Sequence, residues 1–180
     1  MRLLFLDIDG VLNAHEPLDP EVMCGQIHKD KVMLLNDVLR QTGAFLAVSS
    51  AWRYIVHRGE MNLKGFEWLL RSHGIHCNNR FIGITRTDTH RVVTHWDGRI
   101  ESWVQDNERG QQIADFKKGN GHLNELGIEH YAPENKLGPI EAYAVVDDLD
   151  LGISDCGHPF VQTDGAVGLR IEEAQQLVKL

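Results

Sequence analysis

Apolar positions along this chain fall into short continuous runs that alternate with stretches of helical periodicity. Leu3–Asp7 is an unbroken apolar run ending in acid, the pattern of a strand buried on both faces. Lys29–Gln41 places Val32, Leu35, Val38 and Leu39 on one helical face, and Gly43 stops it. Ala44–Val48 is a second buried run and leads into Ser49-Ser50. A helix is predicted near Leu63–His73, ending at Gly74, and a short strand at Phe81–Ile84. Further on come a helix over Gln111–Leu126 with an interruption at Gly119-Asn120-Gly121, and a buried strand at Ala142–Val146 that leads into Asp147-Asp148. A short strand at Phe160–Gln162 and a closing helix at Ile171–Val178 complete the series.

Arg91–Val104 breaks this rhythm. Two runs rich in β-branched and aromatic residues flank Asp97-Gly98, a dipeptide favoured in two-residue hairpin turns, so a β-hairpin is predicted there. Elsewhere, apolar strands separated by helices imply an α/β fold, a Rossmann-like parallel sheet flanked by helices on both faces. Ligands of such sheets sit beyond the carboxyl ends of the strands. Asp7, Ser49 and Asp147 each end a predicted strand, so neighbouring strands would bring these groups to one crevice.

Composition narrows the function classes. The 180 residues suffice for one domain with a full core, and a formal net charge of −8 argues against tight nonspecific nucleic-acid binding. Cys24, Cys77 and Cys156 are scattered and odd in number, neither a disulfide framework nor a zinc knuckle. The ten histidines show no paired metal-ligand spacing. No apolar run approaches the roughly 20 residues of a membrane span. Met1–Leu6 resembles the start of a signal peptide, but Asp7 ends its apolar stretch well short of the roughly 7–15 residues required, so a cytoplasmic protein without membrane partners is expected.

The chemistry concentrates on acids. Asp7 and Asp9 stand two apart at a strand end, and Gly10 permits a tight turn after them. Together with Asp147 and Asp148 they form a cluster that is costly unless a proton or a cation relieves it. Mg²⁺ suits carboxylate and carbonyl oxygens and keeps room for waters and a phosphate oxygen.

Phe5-Leu6-Asp7-Ile8-Asp9-Gly10-Val11-Leu12-Asn13 closely resembles the first motif of haloacid-dehalogenase-like (HAD) phosphatases. Val48-Ser49-Ser50 resembles the second motif, and Val145-Val146-Asp147-Asp148 the fourth, in the family's order. Ser49-Ser50-Ala51-Trp52-Arg53, Arg109-Gly110-Gln111-Gln112-Ile113 and Gly168-Leu169 are most similar to the HAD domain associated with bacterial RNA repair proteins, akin to the phosphatase half of polynucleotide kinase–phosphatase.

This resemblance implies a phosphomonoester hydrolase with Asp7 as nucleophile, forming an aspartyl-phosphate, and Asp9 as general acid and then base. It implies Mg²⁺ held by the Asp7 carboxylate, the Asp9 backbone carbonyl and Asp147, with Asp148 acting through water. Ser49 is the expected phosphate donor and Ser50 the cap of the following helix. The third motif, a phosphate-binding cation, is assigned to Arg109, with Lys117 and Lys136 as rivals. Arg53 stands one turn from Ser49; it is an ordinary exposed residue or a contact to a second substrate phosphate. Trp52 is assigned to packing. The hairpin's Trp96 and Trp103 either pack or belong to a flap beside the crevice. No role is read for Thr163-Asp164.

The chain is thus expected to be one HAD-like domain over residues 1–180, with a small insertion around 54–106 and no large cap. Its substrate would be a phosphorylated small molecule or a nucleic-acid end. The other readings are a noncatalytic phosphate-ligand-binding module and a phosphotransferase to an acceptor other than water.

Overall fold

The structure is a computed structural model that describes residues 1–14, 26–86, 90–94, 100–104, 108–118 and 139–179. Its elements run β1 (Arg2–Leu6), α1 (Lys29–Thr42), β2 (Phe45–Val48), a 3-10 turn (Ala51–Arg53), α2 (Tyr54–His57), α3 (Leu63–Ser72), β3 (Phe81–Ile84), β4 (His90–Thr94), β5 (Ile100–Val104), α4 (Arg109–Lys117), β6 (Ala142–Asp147), β7 (Phe160–Gln162) and α5 (Ile171–Leu177). Five strands form one parallel sheet in the order β3-β2-β1-β6-β7, which puts the first strand at its centre. β4 and β5 form a separate antiparallel pair, with His90 opposite Val104 and Thr94 opposite Ile100.

Side-chain alternation divides the core between the two faces of this sheet. Leu4, Leu6, Leu46, Val48, Ala144 and Val146 pack on one face with Leu35 and Leu39 of α1, Phe66 and Leu70 of α3 and Ala174 and Leu177 of α5. Leu3, Phe5, Ala47, Ile82 and Val145 pack on the other with Ile113 of α4 and Ile153. Each Leu, Ile or Phe so buried contributes about 1.5–3 kcal/mol of transfer free energy. The continuous apolar runs exist because strands covered on both faces have no solvent side.

The helices end where the sequence signals. Gly43 caps α1 at φ +66° and returns its N–H to the Leu39 carbonyl at 3.0 Å, a left-handed conformation that glycine adopts without steric cost. Asn62 starts α3 by accepting the Gly65 N–H at 2.8 Å.

Between Ser49 and Arg109 the described residues form short helices, β3 and the hairpin strands, without a large cap. The Asp97-Gly98 turn and the segment 119–138, where the interrupted helix and Lys136 were expected, lie outside the described residues. α4 begins at Arg109, two residues before the helical periodicity predicts. Among the described residues no helix is long and apolar enough to cross a membrane.

Candidate active site

Strand register alone lines up the candidate residues. Leu6 pairs with Val48 on one side and with Val146 on the other, and Val48 pairs with Ile84. One step further along the strands come Thr85, Ser49, Asp7 and Asp147, followed by Gln162, which pairs with Asp147. The ladder continues through this row: Asp7 N–H donates to Val146 O at 2.9 Å, Ser49 N–H to Leu6 O at 2.8 Å, and Thr85 N–H to Val48 O at 2.9 Å. By alternation Asp7 follows Leu3 and Phe5, and Asp147 follows Val145. Both acids therefore face α4, whose first residue is Arg109.

Asp7 is 4% exposed, Asp147 0% and Asp148 8%, and one carboxylate oxygen from each lies within 4.8 Å of the others. Arg109, itself buried, donates through Nη1 to Asp147 Oδ2, and the same nitrogen lies 3.5 Å from Asp7 Oδ2. Asp147 Oδ1 accepts the Leu149 N–H at 2.9 Å. Asp7 Oδ1 is buried and has no hydrogen-bond partner among the described residues. Burial, reinforced by the facing Asp147, raises the Asp7 carboxyl well above the usual carboxylate range, against the pull of Arg109 and a hydrogen bond from Ser50. Burial likewise pushes Asp147 up to about 6, although Arg109 opposes it.

Among the described residues Arg109 sets its positive charge against Asp7 and Asp147. An orphaned carboxylate oxygen inside an all-oxygen group fits a hard cation, which would add positive charge and take that oxygen as ligand. The chain therefore offers Asp7, Asp147 and Asp148 as metal-holding carboxylates.

Asp9 stands apart from this group. Its side chain is half-buried, and its Oδ1 accepts the Asn13 amide at 2.9 Å and the Trp52 indole N–H at 3.0 Å. After the two acids the chain turns sharply. Gly10 has φ +74°, and a Cβ there would lie 2.6 Å from Asp148 Oδ2. Only glycine lets the first acidic loop approach the fourth-motif acid so closely. Asn13 Oδ1 accepts the Gly10 N–H at 2.8 Å, and buried Thr163 donates its hydroxyl to the Gly10 carbonyl at 2.9 Å.

The second-motif loop joins this centre to α4. Ser50 Oγ accepts the backbone N–H of Trp52 at 3.4 Å and so caps the 3-10 turn, while its hydroxyl helps to lower the Asp7 carboxyl. Ser49, fully buried, accepts the Thr85 hydroxyl at 3.2 Å. Arg53 is 0% exposed, which corrects the expectation of an exposed side chain. It donates to Ser50 O at 2.6 Å and to Gln112 Oε1 of α4 at 2.9 Å. The charge is tolerated there because polar acceptors replace lost water.

α4 is anchored at its first turn. Gly110 N–H donates to Leu151 O at 3.2 Å, and a Cβ on Gly110 would overlap the Gly152 carbonyl. His158 Nε2 lies 2.7 Å from Gly110 O, and its Nδ1 lies 2.9 Å from the Tyr143 hydroxyl. A carbonyl can only accept, so Nε2 carries a hydrogen and, in the neutral ring, Nδ1 accepts from Tyr143. Lys117 sits at the far end of α4, 3.6 Å from the Tyr143 ring centroid. Lys136 lies outside the described residues.

The structure thus gathers Asp7, Ser49, Ser50, Arg109, Asp147 and Asp148 in one buried row and its flank, with Asp9 at the rim and Arg53 behind the loop. Trp52 packs against the core as expected, and its indole nitrogen also bonds Asp9. Thr85 and Thr163 were not singled out for chemistry, although each directly follows a strand, the signal that identified Ser49. Gln112 was noted only within the Arg109–Ile113 motif and His158 not at all, since their partners are set by tertiary packing.

A central parallel strand ending in a two-acid turn, with hydroxyl, cation and second acid pair on neighbouring elements, defines an α/β domain of the HAD type. The family model for the HAD domain in Swiss Army Knife RNA repair proteins matches residues 3–174, and the chain belongs to that family. No curated protein and no solved structure matches the chain.

Proposed function

We propose that this chain is a Mg²⁺-dependent phosphomonoesterase that hydrolyses a terminal phosphate of a nucleotide or polynucleotide through an aspartyl-phosphate on Asp7. The observation that carries this reading is the buried Asp7, Asp147 and Asp148 group with Arg109 against it and one Asp7 oxygen left without a partner. The family to which the chain belongs supports the phosphatase class, and its description supports a nucleic-acid end as substrate.

In this reading Mg²⁺ would be held by the carboxylates of Asp7 and Asp147, the backbone carbonyl of Asp9 and, through water, Asp148. When bound, the ion supplies charge neutralisation for the phosphoryl oxygens and the clustered acids. An Asp7 carboxylate oxygen attacks phosphorus, and the bond to the leaving oxygen breaks. Asp9 gives that oxygen its proton, so the alcohol leaves neutral. Asp9 then accepts a proton from the water that attacks the aspartyl-phosphate; inorganic phosphate departs and Asp7 is restored. Arg109 and the hydroxyls of Ser49 and Ser50 hold the transferring group, since such transfer depends mainly on positioning and charge. Arg53 supports substrate binding by fixing the Ser50 loop against α4. Residues 1–180 act as one domain, with the segment around 54–106 as its insertion.

The test is phosphate release from a panel of mononucleotides, DNA and RNA ends, sugar phosphates and phosphopeptides. Hydrolysis of terminal nucleic-acid phosphates with Mg²⁺, stopped by EDTA and absent in Asp7→Asn, is the expected result. A panel silent with Mg²⁺, or full activity in Asp7→Asn, contradicts the reading.

A further inference from the structure

We infer that Trp52, together with Asn13, is a positioning residue that fixes which oxygen of Asp9 carries the catalytic proton. The inference rests on the acid role proposed for Asp9. Among the described residues two donors converge on a single oxygen: Asn13 Nδ2 and Trp52 Nε1 reach Oδ1 at 2.9 and 3.0 Å. Among the described residues Oδ2 accepts no hydrogen bond.

The donor assignments follow from chemistry. An indole N–H can only donate. The Asn13 amide is oriented by its other end, because its oxygen accepts the Gly10 N–H at 2.8 Å, which turns the NH₂ toward Asp9. With two N–H groups occupying the acceptor directions of Oδ1, a proton on that atom has no place. It resides on Oδ2, which accepts no hydrogen bond among the described residues.

Trp52 is itself fixed. Its backbone N–H donates to Ser50 Oγ, and its ring stands edge-on to His73 with centroids 5.8 Å apart. Ser50 belongs to the loop after β2, which continues from the row that holds Asp7. Trp52 therefore links the proposed acid to that loop, across 43 positions of sequence.

The consequence is specific to leaving-group protonation. In the first step the P–O bond to the leaving oxygen breaks and the Oδ2 proton moves to that oxygen. A poor leaving group needs that proton, whereas 2,4-dinitrophenolate leaves without it. kcat/KM reports the steps up to the aspartyl-phosphate, so the later use of Asp9 as base does not enter. General acids contribute about 10²–10⁴ in rate. In Trp52→Phe, which keeps an aromatic ring and removes the donor, kcat/KM for an alkyl monophosphate should fall by about 30-fold or more. For 2,4-dinitrophenyl phosphate it should stay within about threefold. The thermal midpoint and inhibition by inorganic phosphate should be unchanged.

Equal losses on the two substrates, or no loss on either, would overturn the inference. If Trp52→Phe does not fold, benzothienylalanine incorporated at position 52 keeps the indole shape without the N–H, and the same split is expected. Asp9→Asn separates the two levels. Alkyl phosphate turnover that survives in Asp9→Asn removes the acid role itself, whereas its loss in Asp9→Asn with none in Trp52→Phe removes only the positioning role.

Discussion

Asp7 and Asp147 lie side by side because β1 and β6 pair in register up to Leu6 and Val146, and each strand continues by one residue onto the face that α4 covers. Two buried acids in adjacent register positions repel each other. The fold answers with Arg109 at the start of α4, which contacts both. The same row is extended by Ser49 and Thr85 on one side, so the sheet itself spaces the groups that a phosphoryl ligand would meet.

Arg109→Ala removes the guanidinium that contacts both acids, while Lys117 is occupied with Tyr143 at the other end of the helix. Loss of such a charge-stabilising group is expected to lower kcat/KM for phosphate release by about 10²–10³, whereas Lys117→Ala should leave it within about twofold. Arg109→Lys should recover only part of the loss, because a compact ammonium lacks the planar fork. Steady-state kinetics of the three variants decides, and a larger effect at Lys117 would displace the assignment.

In metal-free protein, Asp147 holds its proton up to about 6 in the fold, against an ordinary value of 3.8. The folded form therefore binds that proton more tightly than the unfolded chain. The resulting stabilisation is full below about pH 4 and is lost as pH rises through about 6, with Asp7 acting in the same direction. In EDTA the wild type should lose on the order of a few kcal/mol relative to Asp147→Asn between pH 4 and 7. Mg²⁺ should restore stability at pH 7 and do less at pH 5, where protons compete for the ligands. Urea unfolding at each pH reads this, and a difference that does not change with pH would contradict it.

Gly10→Ala places a methyl group against the Asp148 carboxylate at a backbone of φ +74°. The left-handed conformation alone costs about 1–2 kcal/mol for a residue with a Cβ. Reduced stability together with weakened Mg²⁺ binding by calorimetry is expected. Unchanged Mg²⁺ affinity would show that the approach of this turn to Asp148 does not shape the metal site.

His158→Phe keeps a ring in place but removes the hydrogen bonds to the Gly110 carbonyl and the Tyr143 hydroxyl. Losing these two bonds should cost about 1–3 kcal/mol in urea unfolding. Because Gly110 adjoins Arg109, kcat/KM should fall too, while Tyr143→Phe, which breaks one bond, should lose less.

Much of this architecture can be read from the residues. Asp7, Ser49 and Asp147 are recognisable because each interrupts an apolar run at a point where a parallel sheet exposes its carboxyl end. Thr85 and Thr163 obey the same rule, but their strands are short and their hydroxyls look like ordinary loop polarity. The start of α4 is not encoded locally: Glu108 makes no side-chain cap, and the first turn is held by Leu151 and His158. The burial of Arg53 depends on Gln112, 59 positions away, and the Trp52–Asp9 bond spans 43. Periodicity and spacing carry no record of such pairings.

The most direct measurement is acid-quenched mixing with a substrate labelled in its terminal phosphate, followed by mapping of the label on the chain. The account predicts Mg²⁺-dependent label on Asp7, chased off by unlabelled substrate and absent from Asp7→Asn. Label on another residue, or undiminished phosphate release from Asp7→Asn, would contradict it.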